Sequence, residues 1–89
     1  MSKTIFYKKM EDKKFKVIYD EVAAKLELGE KIAELRHKKH MSQEELAEKV
    51  HTSRTAIARY ESGKYNRYNI ITLTKIAKAL DKKLEISFT

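Results

Sequence analysis

Apolar positions recur at three- and four-residue intervals through two short stretches in the middle of the chain, the spacing of an amphipathic helix. Leu46, Ala47 and Val50 make one apolar face, and Ile57 and Tyr60 make a second. Ser42 and Glu45 stand in S-x-x-E spacing, which predicts a capping box that satisfies free amides where the first of these helices begins. The pattern breaks at His51-Thr52, and Ser53 then offers an N-cap for the second helix. Ala47 is small and Ile57 compact, as suits two helices crossing at close range. The predicted unit is a pair of short helices joined by a tight turn. Its outer faces carry Gln43, Arg54, Thr55, Arg59 and Lys64, all able to donate hydrogen bonds.

On either side the periodicity predicts further elements. Thr4 to Met10 fits one or two helical turns. Asp12 fits an N-cap for a helix from Lys13 to about Lys25, in which Phe15, Ile18, Tyr19 and Val22 form one stripe. That stripe suits either core packing or a docking face for a partner protein. Leu28 to Lys39 predicts a further helix with Leu28, Ile32 and Leu35 inward, and Gly29 marks a kink or a junction with the helix before it. The run Arg36-His37-Lys38-Lys39-His40 places cations against the negative end of that helix, with a phosphate contact by Lys38 or Lys39 as the secondary reading. Beyond the basic, aromatic loop at residues 64–68, Asn69 caps a last helix with Ile70, Leu73, Ile76, Ala77 and Leu80 inward. The period then changes to two. Leu84, Ile86 and Phe88 alternate with Glu85, Ser87 and Thr89, which predicts a half-buried strand whose partner comes from another copy of the chain.

Composition narrows the class. Eighty-nine residues carry one small core, and the absence of proline with only two glycines leaves little to interrupt helices. A formal charge of +7 favours a polyanionic partner, although a lysine-rich surface also serves solubility. With no cysteine there is no disulfide framework and no zinc finger, so a cytoplasmic setting is expected, and no apolar run approaches membrane-spanning length. His37, His40 and His51 have neither cysteine nor a recognisable acidic ligand motif beside them, so no metal and no cofactor is expected. No nucleophile–base pair and no glycine-rich phosphate loop appears, and Ser42, Ser53 and Ser62 fit caps or surface positions. The expectation is a non-enzymatic, all-α chain.

From Leu28 to Leu80 the sequence resembles the five-helix lambda-repressor-like (Xre) DNA-binding domain, through MSQEELAEKV, TSRTAIARYESGK and LTKIAKAL. Over almost the whole chain, the leader EDKKFKVIYDEVAAKLELGEKIAELR and the tail KKLEISFT resemble HigA-like antitoxins of type II toxin–antitoxin modules. That resemblance implies a helical leader at residues 1–27, a helix-turn-helix domain at 28–81 and a C-terminal strand at 82–89 that contacts a second copy. It implies a DNA phosphate contact for Gln43, outward recognition positions for Arg54, Thr55 and Arg59, and phosphate-gripping positions for Ser53 and Lys64. It also implies a structural ion pair between Arg36 and Glu61. Two departures stand out. His51 occupies a turn position where glycine is usual, and the loop KYNRYN lacks the proline often present and looks a residue longer.

The implied function is an antitoxin that neutralises a RelE- or HigB-like ribonuclease toxin and represses its own operon. It would bind an inverted-repeat operator as a homodimer, with a heterotetramer formed with toxin as a further possibility. The leader to Gly29 has seven lysines against five acidic residues. Attraction to a basic toxin is therefore weak, and the apolar Ile5, Phe6, Phe15, Ile18, Tyr19 and Val22 must supply the toxin contact. The alternative is a stand-alone Xre-type repressor of phage, plasmid or metabolic origin whose leader completes the fold.

Overall fold

Helix formation in this chain is continuous wherever nothing opposes it. The computed structural model describes the backbone of residues 13–87 and the side chains of residues 21–87. α1 runs unbroken through Lys13–Lys38, about 39 Å at 1.5 Å per residue. α2 (Gln43–Val50), α3 (Arg54–Glu61) and α4 (Ile70–Ala79) follow. The inner face of α1 lies on α3, while α2 lies on both α3 and α4. Ile32, Leu46, Ala47, Val50, Ile57, Tyr60, Leu73, Ile76 and Leu80 form the shared core, with Leu46 and Ile57 fully enclosed.

Caps set the boundaries. Ser42 Oγ accepts from Glu45 N at 3.0 Å, and Glu45 Oε1 accepts from Ser42 N at 2.9 Å, which completes the capping box. Ser53 Oγ accepts from Ala56 N at 3.1 Å, and Asn69 Oδ1 accepts from Thr72 N at 3.1 Å. At the opposite ends, α1, α2 and α4 share one construction. His40, His51 and Asp81 take positive φ values of 56°, 60° and 56°. The next amide in each case turns back onto the helix, with Met41 N donating to Arg36 O, Thr52 N to Ala47 O and Lys82 N to Ala77 O. This six-to-one closure is normally built on glycine. Here it is built three times on side-chain-bearing residues.

Several expectations from the sequence are corrected. The two helices expected around Gly29 are one. Gly29 marks no junction between helices; it is buried on α1, where a Cβ would lie 2.6 Å from Glu61 O and 3.2 Å from Gly63 N. Its missing side chain lets the end of α3 approach. The architecture is therefore four helices among the described residues, not a five-helix bundle with an added strand. Residues 82–87 hold no regular structure, because a lone alternating segment has no partner for its backbone groups. Leu84 instead packs on the core, and Ile86 is exposed. Phe88 and Thr89, the helical turns expected at Thr4 to Met10 and the Asp12 cap lie outside the described residues. Ile70, expected inward, is 61% exposed: it occupies the first turn of α4, before the helix meets the core at Leu73.

Candidate nucleic-acid interface

α3 is held by its inner face and leaves its outer face open. Ile57 and Tyr60 are buried against α2 and α1, whereas Ser53, Arg54, Thr55 and Arg59 are exposed. At 3.6 residues per turn, Arg54, Thr55 and Arg59 share one side of the helix, opposite the core. The short α2 buries Leu46, Ala47 and Val50 and packs against α3. Ser53 both faces solvent and caps α3, so its hydroxyl hydrogen remains available while its oxygen accepts from Ala56.

The loop after α3 is stiffened by three tyrosines. Tyr60, Tyr65 and Tyr68 stack with ring centroids 5.1–5.5 Å apart. Tyr68 Oη donates to Tyr60 O, and Tyr60 Oη accepts from Asn69 N, both at 3.1 Å. Burial pushes the Tyr68 phenol upward, and Tyr60 adds to that shift, so the donating form persists through neutral pH. Gly63 takes φ +74°, and Ser62 Oγ accepts from Lys64 N at 3.1 Å. Lys25 of α1 donates to Asn66 Oδ1. Lys64 and Arg67 are thus exposed cations on an anchored loop. Sequence reasoning did not single out Arg67 as a site residue. Its signal was the placement of a cation between the two loop tyrosines.

A buried ion pair closes the seam beneath this surface. Arg36 Nε donates to Glu61 Oε2 at 2.7 Å and Nη2 donates to Oε1 at 3.0 Å, a bidentate pair with both side chains more than nine-tenths enclosed. Arg36 Nη1 also donates to Met41 O at 2.8 Å. The Glu61 bonds push the Arg36 guanidinium above its usual value, against the opposing effect of burial. Gln43, expected to face a phosphate, is half-buried at the first position of α2, and its Nε2 donates to Glu61 Oε1 at 3.1 Å. No sequence pattern announced that bond.

The leader positions are distributed differently. Val22 is 47% exposed on α1. Phe15, Ile18 and Tyr19 fall on helical backbone, with their side chains outside the described residues, as Ile5 and Phe6 are entirely. An open apolar groove of about 360 Å³ lies between α1, α4 and the tail, lined by Leu28, Ile32, Leu73, Leu80 and Leu84 with Lys31, Lys82 and Lys83 at its edge. Among the described residues no cluster of histidine or carboxylate side chains has the makings of a metal site, and no helix is long and apolar enough to cross a membrane.

The sequence model of the helix-turn-helix family matches residues 32–86, well over half of the chain. A stretch of 39 residues, 44% of this chain, is 51% identical to the HTH-type transcriptional activator BcrR of Enterococcus faecalis, of which it spans only 19%. The chain belongs to the helix-turn-helix family.

Proposed function

We propose that this helix-turn-helix protein is a sequence-specific DNA-binding transcription regulator, with α3 in the major groove. One observation carries the reading: Arg54, Thr55 and Arg59 stand exposed on a helix whose opposite face is locked by Ile57 and Tyr60. Arginine reads guanine O6 and N7 as a fixed fork, and each such contact discriminates by roughly 1–3 kcal/mol. Ser53, Gln43 and Lys64 flank that helix and suit phosphate, which positions the protein without reading sequence. Binding as a homodimer would place two half-sites about 34 Å apart. Selection from random double-stranded DNA tests the reading. A defined operator should emerge, and Arg54→Ala or Arg59→Ala should relax specificity at particular base pairs. Enrichment of no sequence, or unchanged specificity in both variants, refutes it.

The comparisons favour a stand-alone regulator, since the named relative is a transcriptional activator. A second activity, neutralisation of a RelE- or HigB-like toxin, draws on Val22 and Leu26, which expose 47% and 44% of their surface on α1. Val22→Asp should then abolish toxin binding and leave operator binding intact. Equal toxin binding by that variant removes Val22 from the interface.

A further inference from the structure

Gln43 has a tie to the interior that the exposed side chains of the proposed DNA-facing surface lack. Its Nε2 donates to Glu61 Oε1, the same oxygen that receives Arg36 Nη2, while Arg36 Nε holds the other carboxylate oxygen. A carboxylate accepts and never donates, so it admits only the NH₂ end of a glutamine amide and excludes the carbonyl end. The bond therefore fixes which way the amide is flipped. Nε2 carries two hydrogens, and Glu61 uses one. Arg36 also holds Met41 O, two residues before Gln43, so one guanidinium sets both the start of α2 and the acceptor that orients its first side chain.

We infer that Glu61, clamped by Arg36, is a positioning residue for DNA binding, which aims the second Nε2–H of Gln43 at a phosphate oxygen beside the amino end of α2. The inference rests on the DNA-binding reading above. An untethered glutamine samples several rotamers and both flips, and loses that freedom only on binding. The tether removes this loss before DNA arrives. It also gives the buried pair a role besides stability.

The test is a mutant cycle on the full chain, read as Kd for the operator that the wild-type protein selects and for a scrambled duplex. Replacing the buried pair together, Arg36→Met with Glu61→Leu, substitutes apolar volume for charge and preserves packing better than removing one partner. Gln43→Ala should weaken both duplexes by about fivefold, the scale of one hydrogen bond. The paired replacement should weaken both by a similar factor with the salt dependence unchanged, because no phosphate-neutralising cation is lost. Adding Gln43→Ala to it should then change Kd little. Should the paired replacement melt near the assay temperature, the cycle is read at a lower temperature, at which circular dichroism shows all four proteins folded, with the same expectation. Full affinity after paired replacement, or an equal penalty for Gln43→Ala in every background, overturns the inference. A wild-type protein that selects no sequence overturns instead the reading beneath it.

Discussion

Replacing Gly29 with alanine sets two opposed effects against each other. Alanine is favoured over glycine inside a helix by about 1 kcal/mol, so on propensity alone Gly29→Ala would stabilise α1. The new methyl, however, would lie 2.6 Å from Glu61 O and 2.9 Å from Glu61 C, both backbone atoms. Ordinary contact begins at about 3.4 Å, so the end of α3 must retreat by roughly 0.8 Å, a displacement no side-chain rotation relieves. Overpacking of this kind costs typically 1–3 kcal/mol, and backbone contact argues for the upper part of that range. The same displacement loads the Arg36–Glu61 pair, where separation of a buried ion pair is expensive. The clash should win, leaving the variant about 1–2 kcal/mol less stable and lowering Tm on the order of 10 °C. Urea titrations followed by circular dichroism measure this as a fall in midpoint at constant m-value. Glu30→Gly, at an exposed neighbouring position, reads the propensity effect and should cost roughly 0.5 kcal/mol, because glutamate is itself less helix-favouring than alanine. A Gly29→Ala protein as stable as wild type would refute the close-approach argument.

Three further outcomes are expected. His51→Gly should stabilise the fold by about 0.5–1 kcal/mol, because the φ of 60° strains histidine by more than glycine's extra unfolded-state entropy offsets; thermal melts that show no gain, with His51→Ala as the comparison, would remove strain from that turn. The Glu45 carboxyl is held below its usual 4.5 by the bond from the Ser42 amide, and the Asp81 carboxyl below its usual 3.8 by the bond from Lys39. A lowered folded value stabilises above the unfolded value and is lost as pH falls through the folded one, so Tm should decline below about pH 4.5, less steeply in Glu45→Gln. Lys64→Ala should weaken selected and scrambled duplexes alike and reduce the slope of log K against log salt by about one, measured by fluorescence anisotropy across salt concentrations.

Local features were legible in the sequence because their causes are local. Ser42 with Glu45, Ser53 and Asn69 cap the helices they were expected to cap, since each bond spans only three residues. The inward set of α2 and α3 followed from period alone. What escaped depends on distant partners. Gly29 read as a kink or a junction because its reason for being small, the carbonyl of Glu61, lies 32 residues away. The bond from Gln43 to Glu61 joins helix ends that adjoin only after the fold closes. For the tail, alternation described a surface that strand pairing would use without supplying the partner, and residues 82–87 hold no strand. Ile70 obeyed the apolar period but sits one turn before the core begins.

An unbroken α1 keyed to α3 at Gly29 behaves as an indexed shaft. Each residue turns the helix by about 100° and advances it by about 1.5 Å. One residue inserted near Ala24 would leave the bundle untouched and swing the backbone positions of residues 13–20 about 100° around the axis. Seven inserted residues would restore their heading to within about 20° while moving them about 10 Å outward. Length changes in the leader are therefore not equivalent to one another. Those near whole turns keep in phase whatever α1 presents and whatever the α3 surface grips. The rest uncouple the two without disturbing a single core residue.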